Sequence, residues 1–257
     1  MVCIDQVGNN VTTYNGTPER IISLVPSQTE LLADLGLEQQ VVGITKFCIY
    51  PPSWRKTKTI IGGTKNFYFD TIHSLKPDLI IGNKEENYQE GIVTLQETHP
   101  VWLSDIVTLE DARQMIVAIG ALTARQQAAA DIVDRISTSF ATLRPLPPKR
   151  VAYLIWRDPW MAAGAGTFID SMLTGLGLIN AVQEQRYPTL TPAALVALKA
   201  DYILLSSEPY PFQEKHIAEL RQLCPTTPCI LVDGEMFSWY GSRLIQAPAY
   251  FNSLTLT

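Results

Sequence analysis

Short apolar runs alternate along this chain with stretches whose apolar positions recur at helical spacing. The runs at 21–25, 41–45, 79–82, 101–103, 150–156, 202–206 and 229–232 predict strands, and shorter ones at 11–14 and 59–61 join them. Several runs, such as "DLIIG" and "DYILL", are continuous rather than alternating. A strand can be apolar at every position only where both its faces are covered, which is the situation of a parallel sheet between helices. Helical patterns fill the intervals. The expected class is therefore α/β, with two lobes, each a mostly parallel sheet flanked by helices, joined by one long backbone helix.

The joint lies between 108 and 143, where the strand signal disappears. "TLED" reads as a helix start, with Thr108 as cap and Asp111 three residues on. Gly120 is expected to interrupt that helix and Thr123 to cap a second one. Ala129, Ile132, Val133, Ile136, Phe140 and Leu143 then keep helical spacing. The second helix reads as about 20 residues, roughly 30 Å, and "RPLPPKR" stops it. The expected organisation is an N-terminal α/β lobe over 1–107, a connecting helical segment over 108–146 and a C-terminal α/β lobe over 147–257. The halves echo one another. "LKPDLIIGNKE" and "LKADYILLSSE" match at five kinds of position, and "ELLADLGL" and "SMLTGLGL" share a closing L-G-L whose glycine is placed to end a helix.

Composition narrows the function. Of 257 residues, 46% are apolar and 18% charged, enough for a sizeable core. The net charge of -5, with no long basic run, argues against nucleic acid and against a polybasic membrane contact. No run of eighteen apolar residues is present, so an integral membrane protein is not expected. The opening "MVCIDQVGNNVTTYNG" has neither a basic n-region nor an apolar h-region. The expectation is a removed signal or a cytoplasmic protein. Cys224 and Cys229 bracket "PTTP" and could pair in an oxidising compartment, while reduced thiols are the simpler reading for all four cysteines.

Ligands of open α/β sheets bind outside the carboxyl ends of the strands. The loops "TKFCIYPP", "GNKEENYQE", "WRDPWMAAG", "SSEPYPF" and "DGEMFSWYGSR" follow predicted strands and are expected to face a cleft between the lobes. Ser27, in "VPSQT", lacks the glycine-flanked elbow of a nucleophile, and His73, His99 and His216 stand outside the strand-end loops. Ser27 is expected to cap its helix or to line the cleft. Tyr50, Trp156, Trp160, Tyr210, Trp239 and Tyr240 all fall in these loops, and aromatic faces suit a flat or bulky ligand. Lys84, Glu85 and Asn87 would supply polar contacts, with Glu208 at the echo of Glu85; a solvated helix start is the plainer reading of "NKEEN". Arg243 would pair an acid on the ligand, or else Asp233. Cys48 could coordinate the metal of a bound chelate, or simply line the wall. No metal site of the protein's own, no cofactor and no catalytic residue are expected.

The blocks "RIISLVPSQTELLADLGL…VVGITKFCIYPP", "GGTKNFYFDTIHSLKPDLIIGNKEEN", "GTFIDSMLTGLGLINAV" and "SWYGSRL", with the mid-chain helix, resemble the helical-backbone substrate-binding proteins of ABC transporters. The similarity runs over essentially the whole chain, and the cobalamin-binding branch looks closest. The resemblance implies capture of a corrinoid, haem or ferric-siderophore ligand between lobes, a monomeric state, a periplasmic or extracytoplasmic location and an ABC permease as partner. It also implies docking through an acidic residue on each lobe. Asp70 stands at the first such position. The matching helix start in the second half has Ala193, which leaves Glu208 as the second-lobe carboxylate. Two other readings stay open: a signal-less cytoplasmic relative that stores or senses the same ligands, and an enzyme acting on a tetrapyrrole or nucleotide-like substrate.

Overall fold

The computed structural model describes residues 2–12 and 16–256. The chain folds into two compact units. Unit 1 holds the chain up to Ile106, with Glu110–Ser137 and Tyr240–Arg243; unit 2 holds Val107–Leu109, Thr138–Trp239 and the residues from Leu244 on.

Unit 1 is built on five parallel strands in the order Thr59–Ile60, Val41–Ile44, Ile21–Ser23, Leu79–Asn83, Val101–Ser104. Every residue of Leu79–Asn83 and of Val101–Ser104 is buried, as their continuous apolar runs require. The connections run through helices Pro26–Asp34, Phe69–Leu75 and Gln89–Gln96. Two small hairpins, Val2–Ile4 with Asn10–Thr12 and Gly62–Gly63 with Asn66–Phe67, lie outside this sheet. The strand expected at 11–14 is represented by Asn10–Thr12; its last two residues lie outside the described ones.

Unit 2 has three parallel strands, Arg150–Trp156, Tyr202–Ser206 and Cys229–Val232. Its other side departs from the sequence reading. Trp160–Ala162 pairs antiparallel with Arg150–Trp156, Thr189–Leu190 pairs antiparallel with Trp160–Ala162, and Ile179–Asn180 adds a short parallel pairing. These segments are two or three residues long, too short to leave a periodic signal.

The internal echo is real in local structure. Leu79–Asn83 and Tyr202–Ser206 occupy the same place in their sheets, each flanked by the strand that precedes it in the core order and by the one that follows. The two L-G-L segments end their helices in one way. Gly36 and Gly177 have φ of 73° and 81°, a left-handed conformation that costs glycine little. The Leu37 N–H donates to the Leu32 carbonyl, and the Leu178 N–H to the Leu173 carbonyl, both at 3.0 Å. This is the six-to-one closure of a Schellman motif.

The mid-chain helices differ from expectation in three respects. Leu109–Leu122 runs straight through Gly120, so the glycine does not interrupt it. A Cβ at Gly120 would stand 2.3 Å from the Ala129 Cβ, so the residue marks the close approach of the next helix. Thr123 does not cap that next helix: its hydroxyl donates backwards to the Ile119 carbonyl at 2.7 Å. The second helix is Gln126–Phe140, 15 residues and about 22 Å rather than about 30 Å.

Candidate functional site

The loop after Val41–Ile44 alternates its faces. Phe47 is 52% exposed and Ile49 37%, whereas Cys48 between them is buried. The Cys48 Sγ lies 3.0 Å from the Thr29 hydroxyl and 3.2 Å from that of Thr45. Burial pushes its thiol pKa up, against these hydrogen bonds. Cys48 is thus an interior thiol in a polar pocket of the fold. Sequence reasoning singles out Cys48 and passes over Phe47 and Ile49. No signal in "KFCIY" separates them, since Phe47, Cys48 and Ile49 are apolar in a row.

Behind Leu79–Asn83, the two asparagines of "NKEEN" shape the loop. Asn83 Oδ1 accepts from the N–H groups of Glu85 and Glu86 at 2.8 and 3.0 Å. Asn87 is buried. Its Oδ1 accepts from the Asn83 N–H at 2.8 Å, and its Nδ2 donates to the carbonyls of Leu24 and Thr64 at 3.2 and 3.1 Å. Asn87 therefore serves as an internal brace. Lys84 Nζ lies 2.6 Å from Asp105, and Lys65 donates to the Glu85 carbonyl at 2.6 Å. Burial lowers the Lys65 pKa, and the charge of Glu86 partly restores it.

Tyr240 and Arg243 are expected with the second lobe, yet they belong to unit 1. The Tyr240 hydroxyl donates to Glu86. Arg243 is buried and forks onto Glu30, with Nε 3.0 Å and Nη2 2.6 Å from its two carboxylate oxygens. Its guanidinium carbon stands 4.1 Å from the centre of the Tyr50 ring. Asp233, the other acid considered for Arg243, caps helix Gly234–Ser238 by accepting from the Glu235 N–H at 3.0 Å. Glu30 is absent from the residues that the sequence singles out. It follows directly on three polar residues of the same helix, Ser27, Gln28 and Thr29, that are buried. Burial holds the Glu30 carboxyl above its ordinary range, and Arg243 opposes that shift.

Ser27 does not cap its helix. Pro26 takes the first helical position, so Val25 stands at the cap and Ser27 falls one step inside. The Ser27 hydroxyl is buried with no hydrogen-bond partner among the described residues. The three histidines are engaged elsewhere. His73 and His99 bond each other, and His216 accepts from the Gln213 N–H and meets the Tyr210 hydroxyl.

In unit 2 the aromatic residues divide by burial. Trp156, at the end of its strand, is 41% exposed and meets the half-buried Tyr210 edge to face, with ring centres 5.5 Å apart. Trp160 belongs to the core: it is buried, lies parallel to Phe212 at 6.2 Å and carries the Arg157 guanidinium 4.3 Å from its ring centre. Trp239 is also buried, its indole N–H donating to Glu208 at 3.1 Å. Glu208 accepts from Ser238 as well, so its carboxylate is built into the turn it closes. Asp70 is exposed in the first turn of Phe69–Leu75. All four cysteines, Cys224 and Cys229 included, are separate thiols. Among the described residues no three His, Cys, Asp or Glu side chains are grouped to hold a metal ion, and no helix is long and apolar enough to cross a membrane.

Each unit thus presents apolar and aromatic side chains from loops at the carboxyl ends of its strands, on a frame of buried hydrogen bonds. The chain is 27% identical over 79% of its length to an uncharacterized ABC transporter substrate-binding lipoprotein, YvrC, of Bacillus subtilis, covering 68% of that protein. It is 24% identical to the vitamin B12-binding protein of Pectobacterium atrosepticum, over 92% of this chain and 88% of the other. Two solved structures share the fold. One is the periplasmic heme-binding protein RhuT from Roseiflexus, with TM-score 0.77, 24% identity, and 92% of this chain and 99% of that one covered. The other is the periplasmic vitamin B12 binding protein BtuF of Vibrio cholerae, with TM-score 0.76, 21% identity, and 91% and 97% covered. The family model of the periplasmic binding proteins matches residues 21–222, most of the chain, and the chain belongs to that family.

Proposed function

We infer that this chain is the substrate-binding component of an ABC importer and works outside the cytoplasm as a non-catalytic binder. Its ligand is a bulky metal chelate of the corrinoid, haem or ferric-siderophore kind. The observation that carries the reading is the exposure of Trp156 beside Tyr210 at the carboxyl end of a central strand. A wide apolar ring face left open there is costly unless something covers it. Phe47 and Ile49 offer the same kind of surface in unit 1. The names of the relatives, which include vitamin B12-binding and heme-binding proteins, favour the same ligand class.

The roles proposed for single residues follow their surroundings. Phe47, Ile49, Tyr50, Trp156 and Tyr210 provide apolar contact, and Lys84 and Glu85 provide polar contact at the rim. Cys48, Asn87, Trp160, Trp239, Tyr240, Glu208 and Arg243 hold those groups in place. Asp70, exposed at a helix start, is the docking carboxylate for a permease.

Titration with cobalamin, haem and a ferric siderophore, read by tryptophan emission, tests the assignment. Saturable quenching by one of them is expected, and Trp156→Ala should remove most of that quenching. If none of the three changes the emission or binds by calorimetry, the ligand class is wrong.

A further inference from the structure

Behind Tyr210 stands a buried histidine to which the ligand wall gives no part. Tyr210 lies in the loop between strand Tyr202–Ser206 and helix Glu214–Leu223, and His216 lies in the first turn of that helix. His216 Nδ1 accepts from the Gln213 N–H at 2.9 Å, while the Gln213 side chain accepts from the backbone N–H of His216, the reciprocal closure of a capping box. His216 Nε2 is 3.1 Å from the Tyr210 hydroxyl. The rings of Tyr210 and Phe212 meet the imidazole edge to face, at 73° and 86°, each with its centre 5.3 Å away, so the imidazole is held between two aromatic neighbours.

These partners fix where the protons are. A nitrogen that accepts an N–H uses its lone pair, so Nδ1 carries no proton and the ring is neutral. A neutral imidazole keeps its one proton on the other nitrogen. Nε2 is therefore the donor and the Tyr210 oxygen the acceptor. The proton of the Tyr210 hydroxyl is then directed to a third group, and among the described residues that hydroxyl has no hydrogen bond besides the one to His216. Tyr210 is half-buried, and its ring meets the exposed Trp156 edge to face.

We propose that His216 is a positioning residue that makes Tyr210 a hydrogen-bond donor to an oxygen acceptor on the edge of the bound chelate. The role rests on the ligand wall proposed above for Trp156 and Tyr210, and it adds a rule of selection. A carboxylate, amide carbonyl or catecholate oxygen at that edge accepts the Tyr210 proton. A donor group there meets a second donor and is disfavoured. The hydroxyl of a lone tyrosine rotates to suit either kind of partner; the imidazole removes that choice. A carboxylate in place of the imidazole would draw the proton inward and leave the ligand facing a lone pair.

The test uses the intact chain with cobalamin, haem and a ferric siderophore at about pH 8, where a glutamate is ionised. The tightest binder of the three becomes the probe. Tyr210→Phe keeps the ring and removes the donor, and should weaken the probe by about tenfold. His216→Glu keeps the capping box, in which glutamate is a standard partner, but takes the Tyr210 proton for itself; a similar loss is expected. His216→Gln has an amide that both accepts from the cap and donates to Tyr210, and should recover most of what His216→Glu loses. In the His216→Glu background, Tyr210→Phe should cost little more, because the donor has already turned away. Nitrogen NMR of the ligand-free chain should find His216 protonated on Nε2 with Nδ1 as acceptor, and circular dichroism checks that each variant folds. Parental affinity in Tyr210→Phe, full additivity of the two substitutions, or a proton on Nδ1 would each overturn this role while leaving the ligand class standing. Failure of all three probes to bind the parent would instead overturn the ligand class, and this role with it.

Discussion

Arg243 forks onto Glu30 across 213 positions of sequence, with both side chains largely withdrawn from water. Removing one partner of such a pair strands a charge, which costs about 3–5 kcal/mol. Arg243→Met is expected to lose stability on that scale near neutral pH, in urea denaturation. Glu30→Gln combined with Arg243→Met should recover most of it.

The same pair sets a pH dependence. Burial raises the Glu30 carboxyl above its ordinary value of 4.5, and Arg243 holds that rise in check. A carboxyl with a raised folded pKa binds its proton more tightly in the folded state, so its contribution to stability declines as pH climbs through that pKa. Losing Arg243 moves the folded pKa further up. The gap between Arg243→Met and parent should therefore be small near pH 4.5 and widen above it. Urea midpoints over a pH series check this; a gap independent of pH would refute it.

Trp156 and Trp160 should separate binding from stability. Trp160→Ala empties a core position stacked on Phe212 and should cost about 3–5 kcal/mol. Trp156→Ala should cost about 1 kcal/mol or less in stability, while weakening the chelate ligand. Paired denaturation and ligand titrations distinguish the two roles.

Gly120→Ala places a methyl 2.3 Å from the Ala129 Cβ, and neither helix can yield without moving backbone. The expected cost is about 1–3 kcal/mol. At Gly175, the end of helix Phe168–Gly175, an added methyl would meet nothing within 4 Å among the described residues. Gly175→Ala should gain about 0.4–1 kcal/mol. Thermal melts of the two variants should shift in opposite directions.

Burial pushes the Cys229 thiol up to about 11. Its thiolate at neutral pH is then about 100-fold scarcer than that of an ordinary thiol. Iodoacetamide should label Cys229 far more slowly in the native chain than in urea. Equal rates in both would contradict its burial.

The lobes' architecture was legible in the chain because it rests on local signals. Runs apolar at every position, such as 79–82 and 202–206, need covered faces, and L-G-L needs a left-handed turn; neither depends on distant residues. The strand-end loops were legible for the same reason. What each loop side chain does was decided only in three dimensions. Phe47 and Cys48 are neighbours of similar hydrophobicity, and the direction of the backbone sends one to solvent and one to Thr29. Trp156 and Trp160 share a loop, but a hairpin strand carries Trp160 back under Phe212. Arg243 finds Glu30, far away in sequence, because folding closes a long loop that periodicity does not encode. Periodicity reports which way a residue faces within its own element; which atoms meet it there is a property of the packed chain alone.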